Sequence, residues 1–147
     1  MKILVATDGS RTGIAAVKFA SKLVANHGGS ELIVLTVYAS PGAAAAGTNG
    51  SGRRKEAQRV LGDAARELRR RGSPPARFEL VRARGADDVP EAISRHADRL
   101  RADLVVVGSE GRESLTEWVV GGTALRLIYV ARRPVTVVRA PRRRLPR

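Results

Sequence analysis

The chain has 147 residues, 43% of them hydrophobic and only 3% aromatic, which fits one domain with a core built from Val, Leu, Ile and Ala. It has no cysteine, so disulfides, thiolate metal sites and cysteine nucleophiles are excluded. The net charge of +13 is local: residues 53–84 and 132–147 each carry +7, and the remainder sums to −1. Arginine supplies 23 of the 27 basic residues. That bias suits polyanion binding. The coding preference of a G+C-rich genome produces it too, and we favour that origin.

Residues 2–7 (KILVAT) read as a short buried strand. The run is too short for a signal peptide or a membrane span, so a cytoplasmic protein without membrane contact is expected. Asp8, Gly9 and Ser10 form a turn and a helix cap. From residue 11 to about residue 26, Ile14, Val17, Ala20, Leu23 and Val24 recur at helical spacing. Residues 32–37 (LIVLTV) are apolar almost throughout, like a strand covered on both faces. Residues 39–52 (ASPGAAAAGTNGSG) have nothing to build a core from and read as a flexible loop, either a spacer or a flap beside a ligand.

Residues 53–71 place Ala57, Val60, Leu61, Ala64, Ala65 and Leu68 on one face of a surface helix that ends at Gly72. Residues 78–83 alternate, with Phe78 and Leu80 against Glu79 and Arg82, which suits an edge strand. Asp88 and Glu91 are spaced as a capping box, with Pro90 in the first helical turn. Val89, Ile93, Ala97 and Leu100 continue that helix. His96 lies beside its apolar stripe and His27 at a helix end. With no paired carboxylates near them, a histidine metal site is not expected.

Leu104 to Val107 form the next strand, and GSEGRESLTEWVVGGT follows at residues 108–123. A helix then takes Leu125, Ile128 and Tyr129 as its inward residues, and residues 134–139 (PVTVVR) form the last strand. Residues 141–147 read as a basic disordered tail, leaving one domain over 1–140. Five strands alternating with four helices predict an α/β three-layer sandwich around a parallel sheet. In such sheets ligands sit beyond the carboxyl ends of the strands, where the strand order reverses.

The segment after the fourth strand therefore carries the functional reading. Gly108, Gly111 and Gly121 let backbone N–H groups approach an anion, and a helix N-terminus follows them. Spacing alone leaves ordinary turn glycines as an alternative. No Gly-Lys-Ser/Thr closes the segment, so it is not a Walker A loop, and its glycines are too widely spaced for the dinucleotide fingerprint.

ILVATDGS, ADLVVVGSEGR and RRPVTVVR together resemble the universal stress protein family, over nearly all the chain except residues 39–52 and the tail. The resemblance implies a five-stranded parallel sheet of order 3-2-1-4-5 in an adenine nucleotide alpha hydrolase-like fold. It also implies homodimers joined through the last strand, here from Val135 to Arg139. ATP-binding members carry Gly, two residues, Gly, nine residues, Gly, then Ser or Thr. Gly108, Gly111 and Gly121 match, but Gly122 stands where the hydroxyl is expected and Thr123 comes one place later. Ala6 replaces a proline common in the first strand.

By the same resemblance, Asp8 lies near the nucleoside and Val37 against the adenine. Arg112 is a candidate phosphate contact, although a solvent-facing side chain is favoured, and Mg2+ is expected to bridge the phosphates with Asp8 as the nearest carboxylate unless Asp8 only holds ribose. Losing one hydroxyl hydrogen bond costs ~0.5–1.5 kcal/mol, so binding of ATP, AMP or ADP is expected to be retained, weakened by up to about tenfold unless Thr123 replaces the hydroxyl. The alternative is a nucleotide-free dimer that acts through protein contacts. No Walker-type lysine or general base is evident, so an enzyme is not expected beyond slow ATP hydrolysis. With few aromatics to stack on bases, nucleic-acid contact is expected to be nonspecific at most.

Overall fold

The computed structural model describes residues 1–40, 50–110 and 120–140. Five parallel strands form the sheet: β1 (Lys2–Ala6), β2 (Glu31–Ala39), β3 (Ala76–Ala83), β4 (Leu104–Gly108) and β5 (Val135–Val138). Their order is β3-β2-β1-β4-β5, as the resemblance implies. Four helices connect them: α1 (Arg11–Asn26), α2 (Gly50–Arg70), α3 (Val89–Leu100) and α4 (Gly122–Val130).

The central strands explain why the sequence is so uniformly apolar there. Ile3 and Val5 of β1 face the layer of α1 and α2, where they meet Val17, Ala20, Ala64 and Leu68. Leu4 points the other way, toward Ile93 and Ala97 of α3 and Leu127 of α4. A strand covered on both faces has no solvent side, so no polar alternation appears. The two outer strands differ: no residue of β5 is fully buried, and Phe78 of β3 is 40% exposed.

The helix ends follow local chemistry. Ser10 caps α1, its hydroxyl accepting from the Gly13 N–H at 3.1 Å. Beyond α2, Gly72 takes a φ of +63°, and the Ser73 N–H donates to the Leu68 carbonyl. This six-residue closure needs a left-handed residue, which glycine supplies without steric cost.

Three expectations are corrected. Ala39 belongs to β2 and α2 already begins at Gly50, so the predicted 39–52 loop is shorter at both ends; residues 41–49 lie outside the described residues. The capping box at Asp88 is not made. The Asp88 carboxylate instead accepts from the Arg84 N–H and the Arg95 guanidinium. Leu125, Ile128 and Tyr129 point outward, exposed by 47%, 50% and 79%, while Ala124 and Leu127 are buried. This helix is apolar on nearly every side, so its periodicity does not select a face.

Candidate functional site

β1 and β4 lie side by side, with Ala6 opposite Val107. The chain leaves both strands at the same edge, so Asp8 and Ser109 reach one crevice. β1 pairs with β2 on its other side, which makes this the point where strand order reverses. A cleft of about 570 Å³, counting its open mouth, occupies the position.

Ala6, Val37, Val89, Ile93, Val107 and Ala124 give the cleft its apolar lining. Its polar groups are Thr7, Asp8, Ser109, Glu110 and Thr123. An apolar body with a few converging polar groups is the usual make-up of a small-molecule site. Of the residues singled out by sequence, Asp8, Val37, Gly108, Gly121 and Thr123 meet here. Gly111 and Arg112 lie outside the described residues. Gly122 is exposed and does not line the cleft, and an added Cβ would meet none of the described residues within 4 Å.

The glycine segment is held at both ends. The Ser109 N–H donates to the Val138 carbonyl at 2.8 Å, continuing the β4–β5 ladder. The Gly121 N–H donates back to the Ser109 carbonyl at 2.5 Å, so the two ends of the segment meet. From the other side α1 grips it. Thr12 Oγ1 accepts from the Glu110 N–H at 3.0 Å and donates to the Glu110 carbonyl at 2.7 Å. Ser10 Oγ donates to the same carbonyl at 3.2 Å. Thr12 is only 2% exposed, so these bonds are sheltered from water.

This grip explains Gly108 without a ligand. A Cβ there would stand 2.5 Å from the Thr12 carbonyl carbon and 2.7 Å from the Gly13 nitrogen. Gly13 has the same character, with Thr7 Oγ1 2.8 Å from its missing Cβ. The two glycines let α1 sit directly on the end of β4. α4 begins at Gly122, with Gly121 as its cap residue and no side-chain cap bond among the described residues. Its first N–H groups have no side-chain cap acceptor among the described residues, and Gly121, Thr123 and Ala124 at this helix start line the cleft.

The sequence reading missed Thr12 and Gly13, as well as Val89, Ile93 and Glu110 in the lining. Val89 and Ile93 were legible as a helix face, but only the packing of α3 brings them to the cleft. Glu110 had a positional signal, two residues past the end of a strand next to a reversal.

The sequence profile of the universal stress protein family matches residues 1–139. The chain belongs to the universal stress protein family. Among solved structures it is similar to a family protein from Burkholderia pseudomallei, at 32% identity and TM-score 0.70, with 95% of this chain and 96% of that one covered. It is similar to a universal stress protein from Archaeoglobus fulgidus solved in complex with dAMP, at 25% identity and TM-score 0.66, covering 95% and 98%. It shares its fold with a universal stress protein in complex with cAMP, at 22% identity and TM-score 0.72, covering 96% and 98%. The comparison with curated proteins finds no match. No helix among the described residues is long and apolar enough to cross a membrane, and none of their His, Asp and Glu side chains cluster in threes to hold a metal.

Proposed function

We propose that this universal stress protein is a cytoplasmic regulatory protein of the stress response that binds an adenine nucleotide, ATP with Mg2+ foremost, in the β1–β4 cleft. The observation that carries the reading is the convergence of Asp8, Val37, Gly108, Gly121 and Thr123 on that cleft. The dAMP and cAMP complexes of the similar proteins support it. Val37, Val89 and Ile93 offer flat apolar contact to a base, and Asp8 offers an acceptor to ribose hydroxyls. The first N–H groups of α4 offer donors to a phosphate. Gly111 belongs to the same motif, and Arg112 beside it in sequence is a candidate phosphate contact.

Among the described residues the lining holds two carboxylates, Asp8 and Glu110, and no histidine. That set suits a Mg2+ ion carried mainly by the phosphates, with Asp8 alongside. The ion supplies charge neutralisation between phosphates. Among the described residues we identify no base placed to activate water, so turnover is read as at most slow ATP hydrolysis.

The nucleotide-free interaction module is a second reading. It is favoured by Gly122, which brings no hydroxyl and stands apart from the lining. Mass spectrometry of small molecules released from freshly purified protein, with calorimetric titration of Mg-ATP, separates the two. Co-purified adenine nucleotide, or binding that weakens in Asp8→Ala, is expected. Absence of both supports the interaction module, and Asp8→Ala binding as well as the parent removes Asp8 from the site.

A further inference from the structure

The sheet separates two helical layers of unequal charge. α1 and α2 together carry ten basic and three acidic residues. On the opposite face α3 and α4 carry three basic and two acidic. Composition sets how many arginines the chain has, not which side of the sheet they occupy, so coding preference does not account for this division.

Within α2 the cations are ordered further. Lys55, Arg59, Arg66 and Arg70 recur at steps of four, seven and four, which keeps them on one narrow stripe. The stripe lies opposite the buried Ala57, Val60, Ala64 and Leu68. Its length is about 22 Å at 1.5 Å per residue. The Arg59, Arg66 and Arg70 side chains are 69%, 64% and 77% exposed. Each pairs with an acid three residues earlier, Glu56, Asp63 or Glu67. The Arg59–Glu56 and Arg66–Asp63 pairs are exposed on both partners and hold weakly in water, so these two guanidinium groups are free to exchange partners, while the Glu67 that Arg70 meets is only 11% exposed and is also held by Lys18 and Arg71. Lys55 and neighbouring Arg69 have no carboxylate partner among the described residues. Lys22 on the adjacent α1 adds to the same exposed layer.

We propose that this α2 stripe is a docking surface for the phosphate backbone of duplex nucleic acid, bound without sequence preference. The choice of partner follows from what the helix lacks. A basic amphipathic helix suits a membrane surface only if its apolar face is available for insertion, and that face of α2 is buried in the core. A protein partner needs apolar or aromatic anchors at the centre of its interface, and α2 has no aromatic residue. Single strands need aromatic platforms for their bases. A row of cations along a rigid rod meets the remaining match, a duplex with one phosphate charge per about 1.7 Å of axis.

The test uses the whole chain and a mixed-sequence DNA duplex of about 20 base pairs, titrated from about 50 to about 200 mM salt. One variant carries Lys55→Gln, Arg66→Gln, Arg69→Gln and Arg70→Gln. A charge-matched control carries Arg99→Gln, Arg101→Gln, Arg126→Gln and Arg132→Gln, away from the stripe. The basic residues 142–147 are common to all, so the comparison reads the helix alone. The stripe variant is expected to lose at least about tenfold in affinity and about 3 to 4 in the slope of log K against log salt. The control is expected to stay within about threefold of the parent, the size of a bulk-charge effect.

Equal losses in the two variants overturn the proposal, because bulk charge then explains them. So does absence of duplex binding by the parent at about 50 mM salt, or tighter binding to phosphatidylserine vesicles at equal phosphate concentration. The double variant Lys55→Gln/Arg69→Gln breaks no ion pair and guards against misfolding. Its slope is expected to fall by about 2, and an unchanged slope, with the parent's melting temperature kept, also overturns the proposal.

Discussion

At Gly108 a methyl group would press on the backbone of Thr12, where neither neighbour has room to yield: Thr12 is held by Glu110 and sits at the capped start of α1. Gly108→Ala is therefore expected to cost about 1–3 kcal/mol of stability, read as a lower midpoint in denaturant melts. An unchanged midpoint would mean that α1 rides over β4 more loosely than these contacts require. Gly122 is the opposite case. A Cβ there meets none of the described residues, and serine would return the hydroxyl that the family motif carries. Under the proposed function, Gly122→Ser is expected to tighten Mg-ATP by up to about tenfold in calorimetry. Equal affinity in the two proteins would show that the hydroxyl is dispensable. In the sequence these glycines read as one motif. In the molecule Gly108 makes room for a helix, Gly121 closes a segment and Gly122 opens a helix.

Among the elements, the start of α3 matters most to the cleft, because Val89 and Ile93 descend from it. Asp88 anchors that start. The Arg95 guanidinium, and then the Arg84 N–H, hold its carboxyl below the ordinary aspartate value. A depressed folded pKa stabilises above the unfolded value of about 4 and loses that stabilisation as pH falls through the folded value. Glu67 runs in the same direction. Burial pushes its carboxyl up, but hydrogen bonds from Arg70 and Lys18 outweigh that and bring it down. The parent is thus expected to lose stability on acidification below about pH 4, and Asp88→Asn to flatten that decline. Parallel pH–melting curves for parent and variant would count against the Asp88 anchor. In α4 the inward stripe of Ala124 and Leu127 is small, and larger apolar residues occupy the outer side. Reading the bulky residues as the core face is reasonable, but burial here follows the space left above β4.

At the scale of the whole molecule, those outward residues are the place to test for a second copy of the chain. Leu125, Ile128 and Tyr129 stand exposed on the helix that leads into β5, which is an edge strand. In the homodimer that the family resemblance implies, apolar cover and strand pairing would lie together on this side. Ile128→Glu with Tyr129→Glu is expected to convert a dimer into a monomer in light-scattering chromatography. A parent already at one chain mass, or a variant still at two, would remove α4 from the interface.

By itself the sequence determined the elements. Alternation, unbroken apolar runs and helical spacing are local, each set by a few neighbouring residues, so the strands and helices appear close to where they were read. The strand order and the family came from quoted motifs rather than from spacing. Tertiary structure decided which distant residues share the cleft, the two hydrogen bonds between Thr12 and the Glu110 backbone, and which side of α4 is buried. These depend on contacts across about a hundred residues of chain, where closing the loop leaves no pattern in the local sequence. They also depend on jigsaw fit, and a glycine that gives way to a helix reads the same as one that turns a loop.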